Sequence, residues 1–328
     1  MGEPQTKPDE FVPRRFLRGA HAQTLASFFM KRHFNLLPAE ERFIEVEPGV
    51  HVLCLCHWQP DRSRATTAVI LHGLEGSSDS GYMQGFAEKG LAAGINVVRM
   101  NQRNCGGTEK SAPTLYHSGR SHDVAAVVEH LIKHDELSRV ALVGYSMGGN
   151  LMLKTAGDWG TAAPPELHAV AAVCPAMDLA VSSDALHSRG NWLYERYFLW
   201  KLRRRYREKV RLFPATFDEA RLQGVDSLRA FDDRITAFYS GYTGAEDYYS
   251  RAAASQVVDR ITVPTLILHA ANDPFIRILP ETRRKIAANP HITFVETADG
   301  GHCSFVASPN GYDGHWAEHK VIEFLRGV

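Results

Sequence analysis

From Thr67 onward the chain repeats one pattern: a short apolar run, a loop marked by glycine or proline, then a stretch with helical spacing. The runs fall at residues 67–71, 95–100, 140–145, 170–173, 265–269 and 292–296. Their hydrophobicity is continuous and does not alternate at every second position. Strands of that kind need cover on both faces, the condition of a parallel sheet packed between helices. Helices are expected over 83–93, ended by Gly94, over 121–134 with Ser121 as N-cap, over 150–156, and over 316–326 at the C-terminus. Ahead of the pattern, residues 42–46 and 51–58 flank Pro48-Gly49 and read as a hairpin. The expected fold class is α/β, a mostly parallel central sheet flanked by helices, as a single domain over residues 1–328.

One region interrupts the alternation. Residues 178–246 contain no convincing strand but several aromatic-rich helical segments, and read as a helical cap or lid inserted in the domain. Within it, Tyr194, Phe198, Leu202, Tyr206 and Val210 recur four apart and form a stripe suited to packing on the body or lining a pocket. Lys201, Arg203, Arg204, Arg205, Arg207, Lys209 and Arg211 occupy the remaining faces, where a solvated surface is the simpler reading and attraction to anionic lipid the sharper one.

The run at 140–145 leads directly into Gly144-Tyr145-Ser146-Met147-Gly148 and then into a helix. A serine at a sharp strand-to-helix turn, with glycines where a Cβ would collide with backbone, has the context of a nucleophile elbow. A hydroxyl needs a base, and the base an orienting carboxylate. Asp273 follows the run at 265–269, and His302 follows the next run, so acid and base come in the order serine, acid, histidine. His302 is selected from sixteen histidines by its place between the last strand and the last helix. Asp178 is a competing acid whose simpler role is a helix cap, and Asp299 is near His302 only along the chain. The oxyanion of an acyl-transfer intermediate needs two backbone N–H donors, expected from Met147 and from Leu74 in "LHGLEGSS". His72 lies on that oxyanion side and is expected to be structural.

The motifs "HGLEGSS", "GYSMGGN", "ANDPF" and "GGHCSF", in this order, resemble the α/β-hydrolase superfamily. With "RGAHAQTL", "NQRNCGG", "LYHSGRSHD" and "AEDYYSRAA", the chain is most similar to its YheT-like (AB-hydrolase-4) branch. The resemblance implies an α/β-hydrolase fold with Ser146 as nucleophile, Asp273 as acid and His302 as base. It implies an esterase or lipase-like serine hydrolase of carboxylic esters, with thioesterase and phospholipase chemistry open to the same triad. A non-catalytic ligand-binding protein on this scaffold is the alternative from another class. No metal and no organic cofactor is implied.

Composition bounds the partners. Lys plus Arg and Asp plus Glu both number 37, so no net field draws the protein to nucleic acid, and a small-molecule ester or lipid is the expected partner. No stretch is apolar enough for a transmembrane segment, which leaves peripheral membrane contact. Five cysteines, an odd number placed mostly in apolar runs, read as reduced thiols of a cytoplasmic protein. Met1-Gly2 with Thr6 is a loose match to a myristoylation signal.

Overall fold

The computed structural model describes residues 10–30 and 32–328, so the Met1-Gly2 match lies outside the described residues. Its strands are β1 Glu40–Glu47, β2 Val50–His57, β3 Thr67–Leu71, β4 Asn96–Met100, β5 Val140–Tyr145, β6 Leu167–Val173, β7 Thr265–Ala270 and β8 Ile292–Thr297. They form one eight-stranded sheet in the order β1-β2-β4-β3-β5-β6-β7-β8. The leading hairpin turns at Pro48-Gly49, with Gly49 at φ 75°, and β2 joins β4 antiparallel. Every pairing from β4 through β8 is parallel; β3 to β7 are buried almost throughout, whereas β8, at the edge of the sheet, is half-buried to exposed.

The helices are α1 Ala20–Phe29, α2 Gly81–Ala92, α3 Ser121–Asp135, α4 Met147–Trp159, α5 Leu179–Leu186, α6 Trp192–Leu212, α7 Leu228–Phe231, α8 Phe238–Ser240, α9 Ala245–Ala252, α10 Pro280–Ala288 and α11 Trp316–Gly327, with a π-helical segment at Asp232–Ala237 between α7 and α8. Alternate residues of the central strands feed two separate cores. Val69, Leu71, Val140 and Leu142 pack with Val124, Val128 and Leu131 of α3 and Leu151 of α4. Ala68, Ile70, Ala141 and Val143 pack with Phe86 of α2 and Val321 and Leu325 of α11. Each buried Val, Leu or Ile contributes about 1.5–3 kcal/mol.

Two boundary expectations change. Ser121 is the first helical residue, not the cap: Arg120 holds the cap position, and the Ser121 hydroxyl donates to Asp158 instead. The helix after Ser146 begins at once with Met147, three residues earlier than its apolar spacing suggests. Between β6 and β7 the described residues form helices and the loops that join them, with no strand. On α6, Leu202 and Tyr206 of the predicted stripe are buried with Leu115, Tyr116 and Met147 of the body. The sheet therefore presents the carboxyl ends of β3, β5 and β7 to one rim, and the helical segments pack over that rim.

Candidate active site

The chain turns from β5 into α4 at Ser146, whose φ of 54° and ψ of −120° are unfavourable for a residue with a side chain. Such a conformation costs on the order of 1–3 kcal/mol and persists only where its surroundings enforce it. Here the Ser146 N–H donates to Val173 O at 2.9 Å, and its carbonyl accepts from Asn150 N at 3.1 Å and Ala176 N at 3.2 Å. The flanking glycines let the helix start so close to the sheet. A Cβ on Gly144 would lie 2.3 Å from Gly148 O, and one on Gly148 would lie 2.4 Å from Leu71 O.

Asp273 stands in the loop after β7, fully enclosed, with Oδ1 accepting from the N–H groups of Phe275 at 3.1 Å and Ile276 at 2.9 Å. Its Oδ2 lies 2.8 Å from Nδ1 of His302, and Nε2 of that ring lies 2.9 Å from Ser146 Oγ. The geometry assigns Nδ1–H as donor to the carboxylate and the serine hydroxyl as donor to Nε2. Burial pulls the His302 pKa down, but the charge and hydrogen bond of Asp273 outweigh it and hold the imidazole above its ordinary value of 6.5. Burial likewise opposes ionisation of Asp273, whose pKa is nevertheless lowered by the imidazole and two backbone donors.

The loop after β3 lies against the serine, since a Cβ on Gly73 would meet Ser146 Cβ at 3.0 Å. Leu74 and Met147 both line the cavity that contains Ser146. Among the described residues, neither of their backbone N–H groups has an intramolecular acceptor. His72 is buried, its pKa lowered to about 4 by that burial, with Nδ1 bonded to Gly73 O at 2.8 Å and Nε2 accepting from Gln102 N at 3.2 Å. A neutral imidazole pinned at both nitrogens holds a turn.

The competing acids are elsewhere engaged. Asp178 precedes α5 but caps a different helix: its carboxylate accepts from Leu279 N and Thr282 Oγ1, both at 2.9 Å, and so secures the start of α10. Asp299 accepts from Gly19 N at 3.1 Å and Asn272 Nδ2 at 2.5 Å. Cys174, His302 and Cys303 present potential ligand atoms within 4.8 Å of one another. His302 is already bridged to Asp273 and Ser146, however, and burial pushes the Cys174 thiol up, away from the thiolate a metal would need.

The cavity encloses about 980 Å³ of atom-free space, part of it open to solvent, and its walls include Leu115, Leu179, Leu186, Phe198, Leu202 and Phe275. Sequence reasoning missed how α6 grips the loop beside Ser146. Lys201 Nζ donates to Glu75 O at 2.8 Å, and Arg205 pairs with the Glu75 carboxylate at 2.9 Å and 3.2 Å. The Tyr116 hydroxyl donates to the same carboxylate at 2.6 Å. Lys209 is buried, donating to Asn104 Oδ1 at 3.0 Å, to Glu109 O at 2.9 Å and to Ala112 O, with its pKa lowered to about 8 by burial. Three of the cations expected on a solvated face thus point into the protein. It also missed Thr24 of "RGAHAQTL", whose Oγ1 accepts from His302 N at 2.9 Å.

Residues 68–309 match the family model described as alpha/beta hydrolase fold. The chain is 31% identical over 321 residues to "Putative esterase YheT" of Escherichia coli strain K12, covering 96% of this chain and 93% of that one. It is 30% identical over 250 residues to "Phospholipase ABHD3" of Mus musculus, covering 75% of this chain and 60% of the relative. Among solved structures, a Pyrococcus furiosus esterase, Pf2001, superposes with a TM-score of 0.57 at 17% identity, over 90% of this chain and 98% of that one. By family model, relatives and architecture together, the chain belongs to the α/β-hydrolase family, in its YheT-like branch.

Proposed function

We propose that the protein is a serine hydrolase of carboxylic esters, acting through an acyl-enzyme on Ser146. The observation that carries this is the continuous relay from Asp273 Oδ2 through both nitrogens of His302 to Ser146 Oγ, at 2.8 Å and 2.9 Å, inside an apolar cavity. Ser146 Oγ attacks the ester carbonyl carbon as its proton passes to His302 Nε2. The N–H groups of Leu74 and Met147 receive the oxyanion, and the alcohol leaves with the proton from His302. Water then attacks the acyl carbon, gives its proton to His302, and the acid departs as Ser146 recovers the proton. Residues 178–246 act as the lid over this chemistry, and the mostly apolar walls suit an acyl chain. Relatives named as esterase and phospholipase support the same reading.

The test is turnover of p-nitrophenyl esters, with Ser146→Ala expected to remove on the order of 10⁴-fold or more of kcat. A fluorophosphonate should label the unaltered protein covalently and leave the Ser146→Ala protein unlabelled. Retention of most activity by that variant would refute the assignment, whereas ligand binding without turnover would favour the binding-protein alternative.

The proposed lipid source is an anionic membrane surface, met peripherally. Trp192, Leu193 and Trp200 of α6 are 50%, 64% and 57% exposed. Arg196, Arg204, Arg207 and Arg211 are exposed with them, and at 3.6 residues per turn all seven fall within a wedge of roughly 120°. Aromatic and cationic side chains on one helical face suit the headgroup region of anionic lipid. No helix among the described residues is long and apolar enough to cross a membrane. Five unbridged thiols fit the proposed reducing, cytoplasmic setting.

A further inference from the structure

One carboxylate lines the cavity beside Ser146 without a cationic partner. Asp232, at the start of the π-helical segment, faces the same space as Phe198, Leu202 and Phe231. Its oxygens are held in place but not neutralised. Thr236 Oγ1 donates to Oδ1 and the Tyr249 hydroxyl donates to Oδ2, each at 2.8 Å, and Tyr249 OH lies 3.0 Å from Ser183 Oγ. Ser183, Thr236 and Tyr249 line the cavity as well. Among the described residues no lysine or arginine forms an ion pair with Asp232. Arg229, the cation that influences it, is committed to Asp184 at 2.8 Å and Glu246 at 3.0 Å.

An ionised carboxylate has about four acceptor positions, of which the protein fills two. Burial raises the Asp232 pKa to about 6, while part of the residue remains accessible. The acceptor positions that the protein leaves unfilled are therefore open to a donor that enters the cavity. The π-helical geometry that presents it is itself rare and occurs often at functional sites.

We propose that Asp232, with Tyr249 and Ser183, forms a polar subsite that takes a hydrogen-bond donor, a hydroxyl or an ammonium group, on the part of the substrate remote from the ester. This rests on the cavity being the substrate site proposed above. A plain hydrocarbon chain leaves the subsite unpaired and is disfavoured, as in other sites built around a hydroxyl or amine.

Decanol, the α,ω-decanediol and ω-aminodecanol separate the possibilities. Each is measured as a competitive inhibitor of p-nitrophenyl acetate hydrolysis, and by calorimetric binding to the Ser146→Ala protein. The diol and the amino alcohol should bind roughly tenfold tighter than decanol, the effect of one well-placed hydrogen bond. Asp232→Asn keeps the size of the side chain and an acceptor, so it should retain the diol preference and lose the amino-alcohol preference. Asp232→Leu should lose both. An unchanged amino-alcohol preference in Asp232→Asn, or no preference in the unaltered protein, overturns the subsite. Intact preferences in Ser146→Ala, with no ester turnover by the unaltered protein, would sustain the subsite and sink the hydrolase reading. Turnover without preference would do the reverse.

Discussion

His302 is subject to opposed pressures, and their balance sets a pH dependence. Only the neutral imidazole can take the Ser146 proton, and Asp273 holds the pKa above 6.5 by stabilising the charged form. Activity should therefore fall as pH drops through that raised value, with the acid limb of kcat/KM on the alkaline side of 6.5. Asp273→Asn should move the limb to lower pH and reduce kcat by on the order of 10⁴-fold. A limb at or below 6.5 in the unaltered protein would contradict the role given to Asp273. The turn makes a separate demand. Gly148→Ala places a methyl group 2.4 Å from Leu71 O, where the neighbour is backbone and cannot swing aside. The expected loss is about 1–3 kcal/mol, read as a lower calorimetric melting midpoint. An unchanged midpoint would mean that helix and sheet separate more easily than their contacts suggest.

At the scale of elements, α6 and the loop after β3 act together through Glu75, which adopts φ 57° next to Leu74. Lys201, Arg205 and Tyr116 converge on that one residue, so the helix over the cavity also fixes the amide proposed for the oxyanion. Glu75→Gln should lower kcat for p-nitrophenyl acetate by roughly tenfold and leave KM nearly unchanged, part of the 10²–10³ typical of a lost oxyanion donor. A raised KM with unaltered kcat would place Glu75 in substrate binding instead. This pairing was not legible in the sequence. The positions of Ser146, Asp273 and His302 were, because strand order and loop position are local signals that continuous apolar runs mark well. Glu75 and Arg205 are 130 residues apart, and nothing along α6 distinguishes Arg205 from Arg204 beside it. Asp178 is legible as a helix cap, but not of which helix: its partners begin 101 residues later. The π-helical turn at Asp232 leaves no periodic trace at all.

At the scale of the molecule, the exposed face of α6 should govern where the protein works. Cosedimentation with phosphatidylglycerol vesicles is expected at low salt and should weaken as salt is added. Changing Trp192 and Trp200 together to Ser should abolish vesicle binding while turnover of a water-soluble ester stays the same. No binding at low salt would remove the membrane from the account. Self-association abolished by the same pair would point to a second copy, an arrangement opposed by the arginines that a two-fold contact would bring face to face.

The segment around Thr24 has a wider consequence. The Gln23 side-chain amide donates to Val306 O at 3.0 Å and accepts from Val306 N at 2.8 Å, and Phe11 packs edge-on to Phe305 at 5.5 Å. The loop carrying His302 is thus seated on a segment 278 residues away along the chain. That long-range seating exists only in the assembled fold, so a partly folded chain can hold most of its sheet and still lack a positioned base.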